Sequence, residues 1–302
     1  MNRFEDAEAA AKDPTKCVDV NPALIQYDLA FYRGDAAEMA RQVSRATGAP
    51  GVEDLLLAED ADTAAYFGHL GKARELSRRA ADSADSAAQK ETAASYHAVS
   101  ALREALFGDA ADARQEATVA KKKRSTGRDL DYGVALALAY TGDTNRVQAL
   151  TDDLDKRFPE DTLVQFNYLP ALRAKIALLH ANPQQALDTL KAAAPYELGL
   201  PAVGIYNWPN LYPVYVRGEA FLAAHRGSEA AAEFQKILDH RGVVFNEPIG
   251  ALAHLQLGRA YAMQGDTAKA RAAYQDFLTL WKDADHDIPV LKQAKTEYAK
   301  LQ

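Results

Sequence analysis

Seven histidines, one cysteine and 42 carboxylates are the side chains of this 302-residue sequence with the most obvious capacity for chemistry. Their spacing does not assemble a reactive set. His240 follows Asp239, and His286 stands between Asp285 and Asp287. Neither cluster has the two-histidine helical spacing of a zinc site, so both read as polar loops and no metal is expected. Cys17 has no second cysteine to pair with and no base beside it, which excludes an intrachain disulfide or a multi-cysteine metal site. No G-x-S-x-G, H-E-x-x-H, P-loop or dinucleotide glycine fingerprint occurs, nor do the glycine-rich, H-R-D and D-F-G signatures of a protein kinase. The carboxylates fall on polar helix faces, and acid/base catalysis would need two of them in one pocket. The expectation is a chain that is not an enzyme and carries no cofactor.

The remaining candidates are residues suited to holding a partner, and the elements that must position them are helices. Hydrophobic residues make up 48% and charged residues 25%, enough apolar surface for a core, and the net charge of −7 argues against nucleic acid. The one basic run, Lys121–Arg124, reads as a helix end whose cations complement the dipole. No apolar run is long enough to cross a bilayer, so direct membrane insertion is not expected. Met1–Asp6 does not resemble a signal peptide, which makes the cytoplasm the default compartment. An extracytoplasmic location would require a longer, membrane-anchored protein.

The helices repeat. Near the C-terminus Leu257, Gly258, Tyr261, Ala270, Tyr274 and Phe277 stand at positions 7, 8, 11, 20, 24 and 27 of a two-helix unit. Gly258 and Ala270 are small where two helices cross closely, and Tyr261 and Tyr274 fill the space beside them. Gly265 can end the first helix in the left-handed conformation, and Asp266 can cap the second. Gly34-Asp35, Gly108-Asp109 and Gly142-Asp143 repeat this punctuation. Gly71 is read as the equivalent turn without its Asp, and Asn182-Pro183 as a cap followed by proline at the first helical position. The steps between these glycines have the length of a tetratricopeptide (TPR) unit, about 34 residues.

The units read as Ala23–Ser44, Asp62–Ala80, Tyr96–Ala120, Asp131–Pro159, Pro170–Ala193, Val214–Ile237 and residues 251–281. The predicted fold is all-α: a right-handed superhelical TPR solenoid of about seven helix-turn-helix repeats spanning 1–302 as one domain. Residues 1–20 form a polar lead-in, 195–210 and 239–250 are insertions between repeats, and 287–302 supply a capping helix over the last apolar edge.

The chain from about Leu24 onward also resembles the TPR region of a family abundant in acidobacteria. There it follows a eukaryotic-like serine/threonine protein kinase or a winged-helix domain. The resemblance is carried by Gly51–Leu57, Thr63–Gly68, Lys72–Arg79, Ala101–Gly108, Arg157–Asp161, Val164–Pro170 and Ala193–Gly199, and most specifically by Leu211–Ala220 with Glu233–Gly242. It implies a sensing or partner-docking region of a signalling protein. The kinase, membrane segment and DNA-binding domain of that family are missing here, as in a fragment or a stand-alone paralogue, so kinase activity is not carried over.

In such a solenoid the first helix of each repeat lines a concave groove. The offsets that face it select Tyr132, Tyr168, Lys175, Tyr212, Tyr215, Glu219, Leu255 and Arg259, to which the 195–210 insertion adds Tyr206, Asn207 and Trp208. Tyr and Arg are common interface anchors, so these form the candidate groove for a protein or peptide. The competing reading is that the tyrosines pack between repeats and the insertion fills a gap. The Lys/Asn carboxylate clamp of chaperone-binding TPRs is absent from the last two repeats. Self-association of the solenoid and a small-molecule site under a 195–210 lid are the alternative functions.

Overall fold

The computed structural model describes residues 21–49, 51–123, 127–199 and 211–301, with Glu5, Asp6 and Ala9. Cys17, Arg124, Tyr206, Asn207 and Trp208, and most of the 1–20 and 195–210 segments, lie outside the described residues. Among the described residues there is no strand, and no helix is long and apolar enough to cross a membrane.

Among the described residues seven helix pairs follow one another. The inner helices are α1 (Pro22–Arg33), α3 (Glu53–Tyr66), α5 (Lys90–Phe107), α7 (Arg128–Tyr140), α9 (Leu169–Leu179), α11 (Tyr212–Ala223) and α14 (Pro248–Met263). Their outer partners are α2 (Ala36–Ala46), α4 (Leu70–Ser86), α6 (Ala110–Lys122), α8 (Thr144–Arg157), α10 (Pro183–Leu190), α12 (Gly227–Asp239) and α15 (Thr267–Leu280). A short turn, α13 (Arg241–Val244), lies within the 239–250 insertion, and α16 (Pro289–Ala299) is the capping helix.

Each inner helix turns into its outer partner through one left-handed residue. Glycine serves at Gly34, Gly68, Gly108, Gly142 and Gly265, but Ala181 and His225 take the same conformation in repeats five and six. The turn of the second repeat is therefore Gly68, and Gly71, expected there, sits in the first turn of α4. Side-chain caps start five outer helices: Asp35, Asp109, Asp143, Asn182 and Asp266 each accept from the backbone N–H three residues on. Close crossings fall at the expected small residues. A Cβ on Gly258 would lie 2.8 Å from the Tyr274 ring, and one on Gly218 2.5 Å from Phe234.

The second repeat, expected over Asp62–Ala80, begins earlier, at Glu53. The inner helix of repeat five also begins before Pro170, through a π-turn over Val164–Tyr168. Pro170 has no N–H to offer the preceding turn, and the wider π-turn lets the chain pass it without a break.

Inner and outer helices differ in a way that sets the architecture. Every residue from Leu130 to Ala139 of α7 is buried, whereas α8 buries only Val147, Thr151 and Leu154. Helix α14 is buried on nearly all sides, while α15 buries Ala270, Ala273, Tyr274 and Phe277. Outer helices thus keep one apolar stripe, and inner helices have little polar face left to line an open groove. The superhelix closes on itself, and helix α3 of repeat two touches α14 of repeat seven.

Candidate functional site

The concave interior is where the sequence places the partner groove, and in this structure it is core. Tyr132 stacks on Tyr168 with ring centroids 3.8 Å apart and planes 3° from parallel. The Tyr168 hydroxyl donates to Asp129 at 2.8 Å. Tyr212 donates to Glu247 at 3.3 Å, and Tyr215 accepts from Gln256 at 3.1 Å while its ring meets Phe234 edge-on. Burial pushes all four phenols above their ordinary range, so they stay neutral hydrogen-bonding groups. Leu255 is fully buried.

The charged members of the set are spent on each other or on neighbours. Lys175 meets Glu219 at 3.0 Å, and Tyr140 donates to the same carboxylate at 3.0 Å while its ring lies 3.6 Å from the ammonium. Arg259 forks onto Glu297 of the capping helix at 2.8 and 2.9 Å, with Tyr274 donating to that carboxylate at 2.8 Å. The expectation that these side chains face an open groove is therefore corrected. The inner helices of repeats two and seven touch, and the four tyrosines are buried between helices. Of the eight candidates on helices, Lys175 and Glu219 are brought into direct contact, as are Tyr132 and Tyr168.

Closure is made at a seam that the sequence reading did not identify. Trp281 donates from Nε1 to the Tyr66 carbonyl at 2.9 Å and packs edge-on against Phe107. Asp285 takes both ends of a turn, its N–H donating to the Gly68 carbonyl at 3.0 Å and its carboxylate accepting from the Gly71 N–H at 2.7 Å. The 239–250 insertion reaches across as well. Asn246, in the strained corner after Phe245 (φ 44°), donates to the Glu59 carbonyl at 3.0 Å and reaches the Glu59 carboxylate and Thr63 hydroxyl at 3.1 Å. A polar Asn246-Glu247 pair inside the apolar run Val243–Ile249 was the available signal.

Behind the seam lies a set of carboxylates with one guanidinium. Arg103, nearly fully buried, donates to Asp62 at 2.5 Å and to Ser77 at 2.8 Å. Asp28, Glu59, Asp62 and Glu247 share this region, and burial raises every one of them above the usual carboxylate range, Asp28 to about 7. Repulsion from Asp28 and Asp62 adds to the shift of Glu59, and repulsion from Asp62 to that of Glu247, while Arg103 opposes it at Asp62 and Glu247.

Metal-ligand geometry among the described residues is confined to Glu104, Asp109 and Asp112. Arg74 already neutralises that trio, at 2.7, 3.2 and 2.8 Å, so it acts as an ion-pair hub between repeats two and three. His240, from the other histidine cluster, donates through Nδ1 to the Lys236 carbonyl at 2.7 Å. Lys121 and Lys123 of the basic run pair with Asp131 and Asp85 at the end of α6, a helix-terminus role.

No protein-family model matches the chain, and no curated protein sequence does. Solved structures do match. A tetratricopeptide repeat protein from Parabacteroides merdae aligns over 98% of both chains with a TM-score of 0.50 at 11% identity. Yeast Tom70 aligns over 94% of this chain and 64% of its own, with a TM-score of 0.47 at 13% identity. The likeness is one of fold: this chain is an all-α TPR solenoid.

Proposed function

We propose that this chain is a non-catalytic protein-interaction module that docks a partner on its outer surface while its concave face is closed. The observation carrying this reading is the spent interior. Among the described residues the polar groups there engage one another: Lys175 pairs with Glu219, Arg103 with Asp62, and Tyr212 with Glu247. Seven TPR repeats support a scaffold role, since stacked helical hairpins supply an extended surface and little machinery for bond chemistry. The resemblance to the TPR region of acidobacterial kinase-associated proteins points the same way, to a docking or sensing part of a bacterial signalling system.

The test is capture from a bacterial lysate followed by cross-link mapping on the folded chain. One stoichiometric partner is expected, with cross-links at outer lysines such as Lys122, Lys191 and Lys269. Absence of any stoichiometric partner, or cross-links only between copies of this chain, would contradict the reading.

A further inference from the structure

A cleft of about 540 Å³ opens on the outside of the seam, between residues nearly 200 positions apart in the chain. Tyr66, Phe67 and His69 form one wall; His254, Asp276, Thr279, Leu280, Lys282 and Asp283 complete it. Its size falls within the range of small-ligand pockets, roughly 300–1,000 Å³.

The lining is organised. Tyr66 and Phe67 meet edge-on at 5.3 Å, and Phe31 of the first repeat packs on both, at 5.2 and 6.3 Å, so the aromatic wall is fixed before anything binds. The polar groups include two carboxylates, Asp276 and Asp283, which can only accept when ionised. His69, His254, Asp276 and Thr279 make no side-chain hydrogen bond or ion pair, unlike Asp285 and Asn246 nearby. Burial holds the His254 imidazole below its usual range, against the pull of Asp276, so it presents a lone pair at neutral pH. Lys282 lies 3.9 Å from Asp283 and offsets it, whereas Asp276 makes no ion pair. Arg241 does not line the cleft; its guanidinium lies over the Tyr32 ring at 5.0 Å, close enough for its charge to act on Tyr66 and His254 from behind the wall.

A fixed aromatic wall beside the Asp276 carboxylate and the His254 imidazole suits a flat cation with several N–H groups, stacked on one side and hydrogen-bonded on the other. From this juxtaposition of Tyr66 and Phe67 with Asp276, His254 and His69, we propose that the seam cleft is a guanidinium site that takes an arginine side chain of a peptide partner. It deepens the partner-binding reading by naming one group the partner must present. Because the cleft is built from repeats two and seven, an arginine seated there also holds the seam shut.

The test titrates N-acetyl-arginine N-methylamide into the full chain, following the imidazole signals of His69 and His254 by NMR. A saturable shift of both is expected at millimolar concentration, the scale for a single side chain. Asp276→Asn, exposed and without a structural partner, should weaken it about tenfold while leaving the thermal melt unchanged. Three results would overturn the proposal: no saturable shift, equal binding of the norleucine analogue, or free arginine binding more tightly than the blocked residue. The readout needs no partner protein, so failure here is distinct from failure of the capture experiment.

Discussion

The indole N–H of Trp281 donates to the backbone carbonyl of Tyr66 at 2.9 Å, joining the seventh repeat to the second across 215 positions of sequence. Trp281 is almost wholly buried, held between Phe107 of repeat three and Phe277 of its own repeat. A solenoid ordinarily gains stability from neighbour to neighbour, so each repeat contacts only the next. Here the ends of the curve meet, and the molecule gains a contact set that couples its two halves.

Glycines at the inner-to-outer turns allow this coupling to be measured against an internal control. Gly34, Gly68 and Gly142 all have φ between 71° and 81°. Added Cβ atoms at Gly34 and Gly142 meet nothing within 4 Å, whereas one at Gly68 would lie 2.5 Å from Ala284 and 2.9 Å from Trp281. Alanine at Gly34 or Gly142 should therefore cost only the left-handed strain, ~1–2 kcal/mol. Gly68→Ala adds overpacking of ~1–3 kcal/mol and should also raise the radius of gyration by small-angle scattering, with helicity retained. Equal losses at all three positions would mean that the seam contributes nothing.

The same conformation predicts gains elsewhere. Ala181 (φ 55°) and His225 (φ 57°) hold left-handed turns without the freedom of glycine. Ala181→Gly and His225→Gly should each stabilise the chain, by ~1 kcal/mol net of the added unfolded-state entropy, in urea unfolding. A loss at either site would show that its methyl or imidazole contacts outweigh the strain.

Acid should tighten the fold before it unfolds it. Asp28, Glu59, Asp62 and Glu247 all bind protons more tightly folded than unfolded, because burial disfavours their charged forms. The folded state therefore holds more protons above the unfolded carboxylate range, near pH 4, and stability falls as pH rises. For Asp28 the contribution is fully present below about pH 4 and is lost as pH climbs through its folded value of about 7. Melting temperature should thus drop from pH 5 to pH 8, and Glu247→Gln, which keeps an acceptor for Tyr212, should raise stability at pH 8 and flatten the profile. A melting temperature that rises over that interval would contradict the assignment.

How much of this was legible in the sequence follows from which interactions are local. Asp266 caps α15 and Gly258 admits the Tyr274 ring, and both can be read because the partners lie within one repeat. Gly71 satisfies the spacing rule as well as Gly68 does, but the left-handed φ falls at Gly68, where α3 ends. The candidate tyrosines share an offset that points inward in a TPR repeat. Whether inward means groove or core depends on curvature, which accumulates over seven repeats and leaves no mark on any one of them. One clue was present: Leu130–Ala139 carries a single charge, Asp131, too apolar a stretch to line a wet groove. The partners of Asn246 and Trp281 lie 187 and 215 positions away, beyond any periodic pattern.

The closed interior is tested most directly by Trp281 itself. The sequence has two tryptophans, so Trp208→Phe leaves Trp281 as the single indole. In the closed solenoid its emission should be blue-shifted and nearly immune to acrylamide, and combining Trp208→Phe with Gly68→Leu should red-shift it and admit the quencher. An indole already red-shifted and freely quenched in the Trp208→Phe protein, with helicity intact, would mean that the solenoid is open and its tyrosines face solvent.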